Sequence, residues 1–202
     1  MNTPHHPTFA RSEFLALILL LSGVFFRVLR VDVAPDVLPN FSPLMAAALC
    51  GALFLPGILG LVLPLVALLL SDALLNLHYG VPVVSMQLLW TLPCYLVAVG
   101  LGWMLRHRDD ASVALFPVLG GTLAASLLFY LTTNSGCWFA NPAYPQNLGG
   151  WVQALTTGLP GYPPTWHFFR NSLVSDLLFA ALFVVLERSL AVERNKATAV
   201  LA

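Results

Sequence analysis

The residues of this chain that could bind a ligand by charge or hydrogen bond are few, and they recur at helical spacings. Asp72 shares a helical face with Asn76 at i+4 and Tyr79 at i+7. Such an acceptor, amide and phenol stripe suits a polar ligand, or a structural pair with an arginine on another helix. Arg27 and Arg30 lie three apart on one face. Their guanidinium groups can bind an anion, balance a buried carboxylate, or snorkel to a membrane interface. The run Phe168-Phe169-Arg170-Asn171-Ser172-Leu173-Val174-Ser175-Asp176 aligns Ser172 with Asp176 and Asn171 with Ser175, setting Asp176 roughly 9 Å along the axis from Arg170. Ser71-Asp72-Ala73-Leu74-Leu75 resembles Ser175-Asp176-Leu177-Leu178-Phe179, a faint inverted-repeat signal if the two segments cross a membrane in opposite directions.

Other candidates sit between apolar runs. In Pro39-Asn40-Phe41-Ser42-Pro43, Asn40 or Ser42 with Pro43 reads as a helix N-cap with a first-turn proline. The same N–H groups could hold an anionic ligand group. Asn134 opens a segment that also carries Trp138, Tyr144, Trp151, Tyr162 and Trp166. These aromatics fit an interfacial belt, and their density also fits stacking on a flat ligand above a polar pocket.

Several chemistries are missing. There is no Walker A sequence, so the chain cannot itself drive transport with ATP, and no G-x-S-x-G or H-E-x-x-H. An intramembrane serine hydrolase would need Ser135 with His78 or His167 as base, from a tripeptide common in loops. Enzymatic activity is not expected. Cys50, Cys94 and Cys137 are odd in number and lack metal-ligand spacing. His5 and His6 have no acidic or Cys neighbours, and neither a metal nor a cofactor is expected.

The elements positioning these residues follow from composition. Of 202 residues 58% are hydrophobic and 9% charged, against about 25% charged in soluble domains, and mean hydropathy is +0.83. The chain reads as an all-α integral membrane protein. Nine basic and nine acidic residues leave no excess for phosphates, which excludes nucleic acid as a natural partner. A bilayer core needs about 20 apolar residues per helix, and six runs emerge near residues 14–29, 43–55, 58–77, 84–105, 112–132 and 168–186. The second is short, is divided from the third by Pro56-Gly57, and reads as a tilted span or half of a re-entrant hairpin. The first ends in Phe25-Phe26-Arg27-Val28-Leu29-Arg30 without a small-x-small cleavage site, which argues for a helix and against a signal peptide.

Arg11, Arg106, Arg108, Arg188, Arg194 and Lys196 all fall on one side of a six-span chain, which predicts cytoplasmic termini. The expected organisation is a cytoplasmic tail over 1–13, a six-helix membrane domain over 14–187 and a cytoplasmic tail over 188–202. Residues 133–167 form an external loop whose apolar segment 148–159 is too short to span and lies at the interface or dips in as a lid. Small residues at Ala48/Ala52, Gly57/Gly60, Gly100/Gly102 and Gly120/Gly121 suit close helix packing.

Taken together, Pro39-Asn40-Phe41-Ser42-Pro43-Leu44, Leu70-Ser71-Asp72 with His78-Tyr79-Gly80, Leu131-Thr132-Thr133-Asn134-Ser135-Gly136 with Trp138, Tyr144-Pro145, and Phe168-Phe169-Arg170-Asn171 with Asp176-Leu177-Leu178-Phe179 resemble a family of small uncharacterised bacterial membrane proteins related to the substrate-binding S components of energy-coupling factor (ECF) transporters. The resemblance implies a six-helix S-component-like bundle in the bacterial inner membrane that captures a vitamin-like micronutrient at its outward face. It also implies separate partners, a transmembrane coupling subunit and cytoplasmic ATPases. The first helix reads Leu15-Ala16-Leu17-Ile18-Leu19-Leu20-Leu21-Ser22-Gly23, a departure from the A-x-x-x-A docking face common in S components. Metal-transporting variants use a His near an exposed N-terminus, which this topology does not offer.

The pocket expected on this reading has Asp72 and Asp176 as acceptors or counter-charges, and Arg27, Arg30 or Arg170 balancing them or binding a substrate anion. Asn40 would offer its backbone N–H, Asn76, Asn134 and Asn171 would set orientation, and Trp138, Tyr144 and Trp166 would close over the ligand. The rival reading is a non-transporting scaffold or assembly protein in which the charges form structural pairs.

Overall fold

The computed structural model describes residues 11–33, 39–106 and 114–201. His5, His6, Arg108 and the side chains of Arg11, Arg30, Arg194 and Lys196 lie outside the described residues. Among the described residues there are seven helices: α1 Arg11–Val33, α2 Leu44–Phe54, α3 Leu59–His78, α4 Gln87–Arg106, α5 Leu115–Ala140, α6 Leu148–Leu155 and α7 Thr165–Leu201. Four stretches are long and apolar enough to cross a membrane, namely α3, α4, α5 and Thr165–Ser189 of α7. Their outer faces carry Val66, Leu70, Leu74, Leu96, Val97, Phe116, Leu123, Leu178 and Val185, all exposed. So many exposed apolar side chains on long helices are incompatible with water and suited to acyl chains. The protein is an all-helical molecule of membrane-spanning type.

At the centre is α2. Eleven residues at 1.5 Å per residue reach about 16 Å, roughly half a bilayer core. The helix is apolar all round, and Met45, Ala46, Ala48, Leu49, Cys50, Gly51, Ala52 and Leu53 are all buried, enclosed by α1, α3, α4, α5 and α7. The short second run is therefore an interior post. Its small residues let neighbours come close: a Cβ on Gly102 of α4 would lie 2.2 Å from the Leu49 carbonyl oxygen, and one on Gly51 would lie 2.4 Å from Pro64 Cγ of α3. The expected turn at Pro56-Gly57 is present, with Gly57 at φ 50°, a backbone conformation that glycine adopts without a steric penalty.

A buried helix must still satisfy its end groups. The N-cap position is Pro43, and no side chain there caps the helix, so neither Asn40 nor Ser42 fills the cap expected of them. Asp176 of α7 does so from across the fold: its Oδ1 accepts the Ala46 N–H at 3.0 Å and its Oδ2 accepts the Ser126 hydroxyl at 2.6 Å. At the other end Arg106 Nη1 donates to the Leu55 carbonyl at 2.7 Å. A carboxylate at the N-terminus and a guanidinium just past the C-terminus both oppose the helix dipole favourably.

The region expected to be an irregular external loop is more ordered than the sequence suggests. Residues 133–140 extend α5 to Ala140, since nothing before Asn141-Pro142 stops the helix. The apolar segment contracts to the eight-residue α6, capped by Asn147 Oδ1 accepting the Gly150 N–H at 2.9 Å. It is tied to α5 by Trp151 Nε1 donating to Ser135 Oγ and by Tyr130 donating to the Leu155 carbonyl.

Candidate functional site

The C-terminal parts of α1, α3 and α5 meet the N-terminal starts of α2, α4 and α7 at one end of the bundle. There they enclose a cavity of about 260 Å³, just below the roughly 300–1,000 Å³ of drug-sized ligand pockets. Its charged lining is Arg27 and Asp72, its amides are Asn40, Gln87 and Asn134, and its hydroxyls come from Thr91, Tyr130, Thr133, Thr165 and Ser172. Phe129, Phe168 and Phe169 supply the apolar wall, with Tyr130 stacked on Phe169 at a centroid distance of 4.3 Å.

Arg27 and Asp72 are joined directly, Nη2 to Oδ1, at 2.5 Å. Arg27 Nη1 also donates to Ser71 Oγ, and Ser71 in turn donates to the Leu68 carbonyl at 3.0 Å. Consecutive residues of α3 thus hold one guanidinium from α1. This is the structural pair that the spacing left open as an alternative, and it sits in the cavity wall.

Of the residues singled out in the sequence, Arg27, Asn40, Asp72 and Asn134 converge here. Asn40 reaches it from a backbone at φ 60°, a left-handed conformation that asparagine tolerates better than most residues. Asn134 Nδ2 donates to the Tyr130 carbonyl. The others go elsewhere, for identifiable reasons. Asp176 is 2% exposed and its carboxylate holds α2, so it has no face toward a ligand. Asn171 donates to the Pro39 carbonyl at 3.0 Å, tying the start of α7 to the turn before α2. Arg170 donates to Asn171 Oδ1 and lies 5.5 Å over the Trp166 ring. Asn76 donates to the Val83 carbonyl and closes the α3–α4 turn, so the Asp72–Asn76–Tyr79 stripe does not act as one surface.

Nor do the aromatics cover the cavity. Trp138 Nε1 donates to the Pro145 carbonyl at 2.9 Å, and Gln146 returns a bond to the Trp138 carbonyl. This folds residues 141–147 back on the last turn of α5. Tyr144 is buried in that turn, and burial, with Cys137 adding in the same direction, pushes its phenol up from the ordinary value. It is a neutral group there. Trp166 packs against His167. Ser135 accepts from Trp151, while the His78 and His167 rings lie edge-on to Tyr79 and Trp166.

Sequence reasoning missed Gln87, Thr91, Tyr130, Thr133 and Thr165. A signal existed for most of them. Gln87 and Thr91 are i,i+4 on α4, and Tyr130, Thr133 and Asn134 are i, i+3, i+4 on α5, two polar faces within otherwise apolar helices.

No curated protein and no solved structure matched the chain. Residues 8–198 match a family of unknown function, DUF6580. That match covers nearly the whole chain, which therefore belongs to this family.

Proposed function

We propose that this protein is the substrate-capture component of a micronutrient uptake transporter in a bacterial cytoplasmic membrane, an S-component-like six-pass bundle with both termini cytoplasmic. It binds a small molecule in the cavity at its outward end and depends on a separate coupling subunit and ATPases for energy. The observation that carries this reading is the cavity itself. An apolar bundle gathers three amides, five hydroxyls and an ion pair around about 260 Å³ at the convergence of six helix ends. Polar groups inside a membrane are costly, so their concentration in one hollow marks a functional site. Arg106 and Arg188 lie toward the opposite end, which supports an outward cavity under the positive-inside rule.

The test is mass spectrometry of small molecules released by denaturing the purified protein. Wild type is expected to release a stoichiometric metabolite. Ser172→Phe, which fills the cavity from the wall of α7, is expected to lose it while keeping the same elution volume and thermal midpoint. A client protein co-purifying in place of any metabolite, unaffected by Ser172→Phe, would favour the scaffold reading instead.

A further inference from the structure

The sequence leaves the charge of the ligand open, because arginines and aspartates are balanced along the chain; the cavity resolves it. Among its described lining residues one cation and one anion occur, and they are bound to each other. Every other polar lining group is an uncharged amide or hydroxyl. The pair is also fixed in place, since the second guanidinium arm is held by Ser71, itself anchored to the backbone of α3. Yet the pair is not sealed: the side chains keep 16% and 21% exposure.

We propose that the Arg27–Asp72 pair is the charge filter of this cavity, selecting ligands of zero net charge that present a hydrogen-bond donor and acceptor side by side, as an amide or lactam edge does. This inference rests on the capture reading above. An anion that took the remaining N–H groups of Arg27 would lie beside the Asp72 carboxylate, whose negative charge already offsets the guanidinium and repels a second one. A cation meets the mirror-image penalty at Arg27. The pair is set among apolar helices and only partly exposed, so both repulsions are screened less than they would be in bulk water. A neutral edge uses what the pair leaves over, its donor facing Asp72 and its acceptor facing Arg27, and breaks nothing. The neutral amides and hydroxyls around it can satisfy further polar atoms, and the Tyr130–Phe169 stack offers a flat apolar wall to a ring.

The experiment uses the full chain in nanodiscs of phosphatidylethanolamine and phosphatidylglycerol. A bacterial small-molecule extract is split by ion exchange at neutral pH into anionic, cationic and net-neutral pools. Each pool is equilibrated with the protein, and retained compounds are identified by mass spectrometry. Wild type is expected to retain a compound from the net-neutral pool. Asp72→Asn, which leaves Arg27 uncompensated, is expected to gain retention from the anionic pool. Arg27→Gln is expected to gain it from the cationic pool. The double variant Arg27→Gln/Asp72→Asn restores neutrality, so it should keep the preference for the neutral pool with affinity weaker by about tenfold, the worth of one charge-assisted hydrogen bond. If a single variant fails to fold, wild type and the double variant decide the matter.

Wild type retaining an anion or a cation, with the neutral pool at background, overturns the charge filter and leaves the capture reading standing. Folded single variants that keep the wild-type preference overturn it too. Retention from no pool overturns both.

Discussion

Asp72 and Asp176 are the same residue type in similar sequence surroundings, and their fates diverge through what faces them. Asp72 meets a guanidinium and opens on a cavity, whereas Asp176 is enclosed and meets a backbone N–H and a hydroxyl. The first is a candidate ligand group, and the second holds a helix end. Asp176→Ala should therefore destabilise the protein by about 1–3 kcal/mol, because the buried Ala46 N–H loses its acceptor. Asp176→Asn, which keeps an acceptor oxygen, should cost less. Thermal unfolding in detergent checks the order, and metabolite retention by the folded fraction should be unchanged in both variants. A retention loss exceeding the loss of folded protein would return Asp176 to the site.

At the scale of elements, α2 organises the bundle because it is small-sided rather than because it is amphipathic. Its ends were legible in the sequence, from Pro43 at one side and Pro56-Gly57 at the other. Its position was not, since a helix apolar on every face gives no indication of which neighbours surround it. The glycines show the same limit. Gly100 and Gly102 look alike as a small-residue pair, yet a Cβ on Gly102 would meet the Leu49 carbonyl while one on Gly100 would meet nothing within 4 Å. Gly102→Ala is expected to push α4 off α2 and cost about 1–3 kcal/mol. Gly100→Ala is expected to stay within about 0.5 kcal/mol of wild type. Paired thermal midpoints of the two variants measure the difference, and equal midpoints would mean that the α2–α4 contact is not close.

For the whole molecule the open quantity is orientation, and the cysteines report it. Cys137 is exposed near the cavity end of α5, whereas Cys50 and Cys94 are buried. If the cavity opens outward, a membrane-impermeant maleimide added to intact cells should label the protein at Cys137, and Cys137→Ser should abolish the signal. Labelling that requires permeabilised cells would turn the cavity toward the cytoplasm and remove the uptake reading.

Composition and periodicity were sufficient for the class of molecule. A chain with so few charges and such long apolar runs has to bury itself in lipid, and prolines, glycines and polar breaks mark where its helices end, because those effects are local in the chain. The extent of α5 was less legible, because a polar, aromatic stretch continues a helix whenever no residue stops it. Part of the site was legible as well: Arg27, Asn40, Asp72 and Asn134 stand out as polar residues beside or within apolar runs. Which of the candidates converge was decided only by the tertiary structure. The Asp176–Ala46 and Asn171–Pro39 bonds each join residues more than a hundred positions apart. Their geometry depends on how each helix is rotated about its axis. Lipid rewards apolar faces equally and sets no rotation, so close packing on α2 and the pairing of buried polar groups set it instead.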